Sequence, residues 1–261
     1  MLKNVFKKTA AHAIAGVAER PEARRLLFNA LRLRRPELMT LRQQDEIRFL
    51  GYVFDRIDSS CSQILQDLWV SYELGDQPSG FFVEFGATNG LTNSNSWLLE
   101  KTYGWTGILA EPNPVWHHDL DRNRNCAIDK RCVFTHSGAT LSFAATDDPE
   151  LSGIAETAEY DHFAEIRRAA PSFDVETISL NDLLTQHGAP AVIDYMSIDT
   201  EGSELAILEA FDFKRWQVRL FSVEHSHSPQ ETKIDALLAA QGYRRKFTEY
   251  SQWDGWYIHG G

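Results

Sequence analysis

Apolar residues in the first part of the chain recur at helical spacing. Between residues 3 and 35 they return every three or four positions, with a break near Pro21. The same period returns between residues 41 and 75, and it ends at Gly75 and the Pro-Ser-Gly segment at 78–80. We therefore predict a helical N-terminal extension over residues 1–75.

From residue 76 the pattern changes to short apolar runs that alternate with helical segments. The predicted strands are residues 81–85, 107–110, 132–134, 191–198 and 218–223, with a short extra strand at 140–144 and an aromatic-rich antiparallel pair within 243–258. Residues 145–172 include a charged stretch and predict a solvent-facing insertion. Strands that alternate with helices indicate an α/β domain over residues 76–261, with a mostly parallel, doubly wound sheet and helices on both faces.

Charge is unevenly distributed along the chain. The formal net charge is −11, but residues 1–35 carry nine Lys or Arg against Glu19 and Glu22, which leaves −18 for the rest. An acidic body argues against a nucleic-acid substrate, because phosphates require a basic groove. The basic start is interpreted either as a packing helix or as a peripheral contact with an anionic membrane.

Cysteine usage and hydropathy bear on the compartment. Cys61, Cys126 and Cys132 have neither metal-ligand nor disulfide-framework spacing, which fits a reducing compartment. No apolar run is long enough for a membrane span, and the apolar stretch at residues 10–18 is a poor signal peptide. We therefore predict a cytoplasmic protein, with peripheral attachment to the inner face of a membrane as the alternative.

The segment FFVEFGATNG at residues 81–90 predicts a ligand loop after the first strand. Gly86 and Gly90 bracket Ala87, Thr88 and Asn89, and small residues at a strand end let a ligand approach the backbone. Position 88 is Thr where the dinucleotide pattern G-x-G-x-x-G requires its second glycine, so binding of NAD is the weaker interpretation. An ordinary strand-to-helix turn remains the structural alternative.

Two carboxylates make this loop suitable for a cofactor that carries an amino acid. Glu84 ends the first strand, where it suits an ammonium group and repels a pyrophosphate. Glu111 ends the second strand, where an acidic side chain can accept hydrogen bonds from both ribose hydroxyls.

A second polar cluster is predicted at the same edge of the sheet. Asp199 and Glu201 follow one strand in the segment YMSIDTEGSE, and His225 follows the next. A carboxylate or a histidine can act as the base that deprotonates a hydroxyl. Alternatively, Asp199, Glu201 and His225 bind a divalent cation such as Mg²⁺ that acidifies the hydroxyl. Asp199 as a helix cap, with no metal bound, is the structural alternative.

Several motifs in order resemble the FkbM family of S-adenosylmethionine-dependent methyltransferases. They are FVEFGATNG, SNSWLLE, GWTGILAEPNP, RNR at 122–124, ETISLNDLL and IDYMSIDTEGSELAILEAFDF. The resemblance covers about residues 63–258, so it leaves out most of the extension.

The resemblance implies a Rossmann-like class I methyltransferase fold with seven strands, of which the last pair is antiparallel. It also implies O-methylation of sugar hydroxyls in glycans or natural products. The cofactor-binding set that it implies comprises Glu84, Gly86, Ala87, Thr88, Asn89, Gly90, Ser94, Glu111, Asn113, His136, Ser137 and Asp199. The resemblance also implies that the segment of Thr135, His136 and Ser137 lies near adenine. Asp199, Glu201 and His225 would face the acceptor.

The prediction is therefore an O-methyltransferase that uses S-adenosyl-L-methionine and acts on a sugar, glycan or small-molecule hydroxyl. An NAD-dependent oxidoreductase and a non-catalytic partner of a glycan-synthesis enzyme are the alternatives. The sequence does not identify the acceptor. It also leaves open whether the chain forms a homo-oligomer.

Overall fold

The computed structural model describes residues 20–155 and 164–260 and divides the chain into two compact units, Met1–Phe54 and Asp55–Gly261. The helical segment predicted within residues 3–19 and part of the predicted insertion, residues 156–163, lie outside the described residues. The second unit begins well before the predicted domain boundary at residue 76, because the helix at residues 66–73 contributes Leu68, Trp69 and Val70 to the core.

The described part of the first unit is helical, as predicted. It contains α1 (Pro21–Leu33), α2 (Arg35–Leu41) and α3 (Asp45–Phe54). Pro21 begins α1 and Pro36 lies in the first turn of α2, where the missing backbone N–H costs nothing. Among the described residues, no helix is both long enough and apolar enough to cross a bilayer.

The second unit is α/β. Its described strands are β1 (Phe81–Phe85), β2 (Thr106–Ala110), β3 (Ala127–Asp129), β4 (Cys132–Phe134), β5 (Thr140–Ala144), β6 (Gly153–Ile154), β7 (Ser172–Ser179), β8 (Val192–Ile198), β9 (Gln217–Glu224), β10 (Tyr243–Lys246) and β11 (Asp254–His259). Its described helices are α4 (Gln66–Glu73), α5 (Trp97–Tyr103), α6 (Pro114–Asn123), α7 (Ala164–Ala169), α8 (Leu180–Gln186), α9 (Glu204–Glu209) and α10 (Gln230–Ala240). Short 3-10 turns lie at Ile57–Ser59 and Pro149–Leu151.

Seven strands form the main sheet in the order β10-β11-β9-β8-β1-β2-β3. β8, β9, β1, β2 and β3 pair in parallel, whereas β11 pairs antiparallel with both β9 and β10. The predicted fold class is confirmed: the sheet is mostly parallel, has seven strands and ends in an antiparallel pair. The carboxyl ends of β1, β2, β8 and β9 therefore meet at one edge.

Helices cover both faces of this sheet. Val83, Met196 and Phe221 share one apolar cluster with residues of α8, α9 and α10. On the opposite face, Trp256 of β11 stacks on Trp69 of α4 with ring centroids 5.1 Å apart. Burial on both faces is the reason why the parallel strands are continuous apolar runs in the sequence.

The third strand of the main sheet is not the predicted one. β3 occupies that place, whereas Cys132–Phe134 is β4 of a second sheet with the order β4-β7-β5-β6. The sequence pattern favoured the more apolar Cys-Val-Phe run over the short Ala-Ile-Asp run. The predicted extra strand at Thr140–Ala144 is present as β5 and belongs to this second sheet.

The predicted solvent-facing insertion is also corrected. Ile154 and Arg167 are each 1% exposed. Ile154 packs with Phe143 and Val175, and Arg167 is buried against a carboxylate described below. A charged sequence predicts exposure only when no partner of opposite charge lies inside the fold.

Candidate functional site

A cavity of about 410 Å³ opens where the carboxyl ends of β1, β2, β8 and β9 meet. Its lining includes Gly86 after β1, Glu111 after β2, Asp199 after β8 and Glu224 at the end of β9. Residues 149–152 and Trp253 complete the wall. The edge of a parallel sheet is where α/β folds bind their ligands.

The glycine loop requires glycine at two positions. At Gly86, with φ of +72°, a Cβ would lie 2.1 Å from the backbone oxygen of Asp199. At Gly90, also with φ of +72°, a Cβ would lie 2.6 Å from the side chain of Arg124. The backbone of β1 therefore turns against β8 with no space for a side chain, and it leaves Gly86, Ala87 and Thr88 on the cavity wall.

Asn89 and Gly90, which were predicted to bind the cofactor, do not line this cavity. The Asn89 side chain instead accepts hydrogen bonds from the backbone N–H groups of Leu91 and Thr92 at 2.9 and 2.8 Å. Its role in the structure is to hold the turn that follows the glycine loop.

Glu84 lines the cavity but is already engaged by internal donors. Its carboxylate accepts hydrogen bonds from the Asn95 backbone at 2.7 Å, from the Ser94 hydroxyl at 3.1 Å and from the Ser96 hydroxyl. The guanidinium of Arg124 lies 3.7 Å away. Glu84 is 3% exposed. Glu84 therefore positions residues 94–96 at the site. This differs from the prediction, in which the Glu84 carboxylate binds an ammonium group.

Asn95 is a site residue that sequence reasoning missed. Its Nδ2 donates to the Ser197 hydroxyl at 2.9 Å, whereas its Oδ1 is buried without a hydrogen-bond partner among the described residues. Asn95 also lines the cavity. Buried acceptors are nearly always paired, so this oxygen is suited to a ligand donor. The signal in the sequence is the Asn of SNSWLLE, which offers a side-chain amide directly beside Ser94.

Glu111 connects the ends of β1 and β2. Its two carboxylate oxygens accept hydrogen bonds from the backbone N–H groups of Thr88 at 2.9 Å and Asn113 at 2.8 Å. Burial raises the pKa of Glu111 to about 7. Asn113 caps α6 by accepting a hydrogen bond from Val115 at 3.2 Å and does not line the cavity. Asn113 is therefore a capping residue, whereas Glu111 lines the cavity and its binding of the ribose stays a prediction.

The cavity lining also includes a group of apolar residues, here called the apolar slot. They are Pro112, Trp116, Cys132, Val133 and Phe143. His136 and Ser137, which were predicted to lie near adenine, are absent from the lining. Ser137 bonds instead to Asp182, and His136 contacts Thr135. The cause is the position of β4, which leaves the main sheet and brings Cys132 and Val133 to the slot.

Three carboxylates of the cavity lining lie close together. One oxygen each of Asp199, Glu201 and Glu224 lies within 4.8 Å of the others. Asp199 and Glu224 are hydrogen-bonded to each other. Burial, followed by the charge of Glu201, raises the pKa of Asp199 well above its usual range. Burial and then the charge of Asp199 raise the pKa of Glu224 in the same direction. Burial and the charge of each neighbour therefore disfavour the ionisation of Asp199 and Glu224 at the same time.

Glu201 is held by the insertion. Its carboxylate accepts a hydrogen bond from Nη1 of Arg167 at 2.9 Å, and the same guanidinium nitrogen donates to the carbonyl of Leu151 at 3.0 Å. Glu201 lies in the left-handed region, with a φ of +58°, shortly after the end of β8. The ion pair of Arg167 and Glu201 connects α7 to the loop that carries Asp199.

His225 does not join these carboxylates. Its Nε2 lies 2.8 Å from Nη2 of Arg245, and its Nδ1 accepts a hydrogen bond from the backbone of His227 at 3.1 Å. Burial lowers the pKa of His225. Successive residues of a strand point to opposite faces, and Glu224 rather than His225 lines the cavity. The predicted set of Asp199, Glu201 and His225 is corrected to Asp199, Glu201 and Glu224.

Residues 84–245 match the family described as the methyltransferase FkbM domain. The chain belongs to the FkbM methyltransferase family. As a member, it is an S-adenosylmethionine-dependent methyltransferase, so the family assignment favours this activity over the NAD-dependent alternative.

Relatives of this FkbM methyltransferase include the methyltransferase sdnD of Sordaria araneosa. The two are 29% identical over 204 residues, which cover 66% of this chain and 77% of the relative. Among solved structures, a precorrin-6y C5,15-methyltransferase from Geobacter metallireducens GS-15 is similar at 14% identity and a TM-score of 0.39, covering 74% of this chain and 85% of that one. The METTL16 methyltransferase domain is similar at 12% identity and a TM-score of 0.40, covering 76% and 82%.

Proposed function

We propose that this methyltransferase transfers the methyl group of S-adenosylmethionine to a hydroxyl of a sugar, glycan or natural product. The single observation that carries the proposal is the close approach of the Asp199 and Glu224 carboxyl groups, which line the same cavity as the glycine loop. A carboxyl pair that holds one proton has one partner available as a base.

The residues of the cavity fit the methyl donor in three parts. Gly86, Ala87 and Thr88 offer backbone to the methionyl end, and the orphaned Oδ1 of Asn95 offers an acceptor for its ammonium group. Glu111 suits the ribose hydroxyls. The slot beside Trp116 is apolar, which suits an adenine ring.

The donor supplies an activated methyl group on a sulfonium sulfur. The ionised carboxylate of the Asp199 and Glu224 pair would accept the proton of the acceptor hydroxyl as that oxygen takes the methyl group, and S-adenosylhomocysteine would be the leaving group. A raised pKa makes the ionised member of the pair a stronger base than an exposed carboxylate.

A divalent cation is a second way to activate the hydroxyl. Asp199, Glu201 and Glu224 present three oxygens close enough to bind one ion, and Mg²⁺ prefers oxygen ligands. A bound cation would lower the pKa of the hydroxyl, so a weaker base would be sufficient to deprotonate it. Because Glu201 already accepts a hydrogen bond from Arg167, the base interpretation uses fewer rearrangements.

Binding and transfer are tested separately. Calorimetry with S-adenosylhomocysteine, S-adenosylmethionine and NAD is expected to show binding of the first two. Transfer of isotope-labelled methyl to a panel of sugars and glycans is then read by mass spectrometry, with and without chelator and added Mg²⁺. Binding combined with methylation of amines or carbons in place of hydroxyls would refute the O-methyltransferase proposal, and loss of turnover with chelator would select the cation mechanism.

A further inference from the structure

The helix α1 is amphipathic, and none of its residues is buried. At 100° per residue, Leu26, Leu27, Leu31 and Leu33 fall on one side of the helix together with two alanines. Leu26 and Leu33 are each 70% exposed, and Leu27 is 52% exposed. A soluble helix normally buries such a stripe, so this one requires a partner outside the described chain.

Exposed apolar side chains continue beyond α1. Of the fifteen large apolar side chains that are exposed in the described chain, ten lie between residues 26 and 54. These ten are Leu26, Leu27, Phe28, Leu31, Leu33, Met39, Leu41, Ile47, Leu50 and Phe54. Single exposed hydrophobic residues are ordinary, but this concentration in one short region marks an interaction surface.

The polar side of α1 is basic. Arg25 and Arg32 lie opposite the leucine stripe, where they flank Phe28, and Arg24 borders the stripe beside Leu31. Arg34 and Arg35 follow at the end of the helix. Arg34 also forms an exposed ion pair with Glu37 at 3.1 Å. Leucine on one side and arginine on the other is the composition of helices that lie in the plane of a membrane interface.

A bilayer and a second copy of the chain would use the two sides of α1 differently. A symmetric dimer packed through the leucine stripe would leave the arginines of the other side in solvent, so a second copy would account for the leucines alone. An anionic headgroup layer satisfies both sides of the helix at once, since the leucines enter the acyl boundary and the arginines bind phosphates.

We propose that α1 is a membrane-binding helix that lies in the headgroup region of an anionic bilayer, with Leu26, Leu27, Leu31 and Leu33 inserted. The proposal does not depend on the acceptor or on the chemistry of the cavity. It gives this methyltransferase a peripheral mode of attachment, in which no segment has to cross the membrane.

Vesicle sedimentation of the full chain tests the proposal. Vesicles of phosphatidylcholine alone are compared with vesicles that contain phosphatidylglycerol. The full chain is expected to bind the anionic vesicles at least tenfold more tightly, and to dissociate as NaCl is raised from about 0.1 M to about 0.5 M, because each basic residue near the surface strengthens binding by about fivefold.

Two variants and two matched controls locate the contact. Leu27→Ser with Leu31→Ser, and Arg24→Gln with Arg25→Gln and Arg32→Gln, are each expected to weaken anionic binding by roughly tenfold or more. Val192→Ser, an exposed apolar position in the second unit, controls for the first. Lys130→Gln with Lys214→Gln and Lys233→Gln removes the same charge from exposed positions elsewhere and controls for the second.

Three results would overturn the proposal. One is failure of the full chain to bind anionic vesicles, and another is equal loss of binding in the α1 variants and their controls. The third is a concentration-dependent dimer in sedimentation velocity that the leucine variant abolishes, which would assign the surface to a second copy. Unchanged circular dichroism and melting temperature in the variants confirm that a loss of binding is not a loss of folding.

Discussion

The carboxylate of Glu111 accepts a hydrogen bond from the backbone N–H of Thr88 at 2.9 Å. This contact fixes the glycine loop against the end of β2 before any cofactor is bound. The two cofactor motifs of the sequence are therefore one structural element, and the protonation state of Glu111 affects both.

Cofactor affinity is expected to rise with pH across neutrality. Burial raises the pKa of Glu111 to about 7, so this carboxyl is mostly protonated at pH 6 and mostly ionised at pH 8. Ribose hydroxyls donate to the ionised form, so binding lowers the pKa of Glu111 and releases a proton. Calorimetry is expected to show S-adenosylhomocysteine bound up to about tenfold more weakly at pH 6 than at pH 8.

Glu111→Gln is the control for that pH dependence. The amide keeps an acceptor oxygen but cannot ionise, so affinity is expected to be lower overall and flat between pH 6 and 8. A variant that keeps both the affinity and the pH dependence of the original chain would show that Glu111 does not bind the ribose.

Gly86→Ala is expected to remove cofactor binding and to destabilise the fold. The added Cβ would lie 2.1 Å from the backbone oxygen of Asp199. Gly104→Ala is the matched control, because Gly104 has a φ of +69° and has nothing within 4 Å of the added atom. The control is expected to cost about 1–2 kcal/mol of unfolding free energy from the left-handed backbone alone, as measured in denaturant. Equal costs at the two positions would contradict the close approach of β1 to β8.

The carboxyl pair in the cavity is expected to control turnover and not donor affinity. Asp199→Asn and Glu224→Gln should each lower kcat by about a hundredfold or more, because the hydroxyl proton loses its acceptor. The affinity for S-adenosylhomocysteine should stay within about threefold, since the proposed donor contacts lie elsewhere in the cavity. If both variants keep their kcat, another group is the base.

His225→Gln is expected to reduce stability while sparing turnover. His225 is 4% exposed and contacts Arg245, so its replacement should cost about 1–3 kcal/mol of unfolding free energy. Turnover should change by less than about fivefold, in contrast to Glu224→Gln on the adjacent position. A large loss of kcat with an unchanged melting temperature would instead show that His225 takes part in the reaction.

The sequence was sufficient to predict the main sheet, because strands buried on both faces are continuous apolar runs. It was insufficient for β3, a three-residue strand in which only Ile128 is a large apolar residue. Such a short strand is determined by its pairing with β2, which is information from the folded chain.

At the candidate site too, the sequence was sufficient for some features and insufficient for others. The residue types at the strand ends indicated a polar edge, but the choice between Glu224 and His225 depends on which face each presents, and one position of register reverses that choice. The unpaired oxygen of Asn95 and the burial of Arg167 depend on partners distant in the sequence. No local pattern reports them.

The stacking of Trp69 on Trp256 sets a practical limit on where the chain can be cut. α4 lies before the family match, which begins at residue 84, yet Gln66 donates to the carboxylate of Asp254 at 2.9 Å and Trp69 covers β11. A recombinant fragment that starts at the edge of the family match would expose Trp256 and the last strands of the sheet to solvent, where indole rings and strand backbone promote aggregation. The compact unit that starts at Asp55 keeps both tryptophans covered.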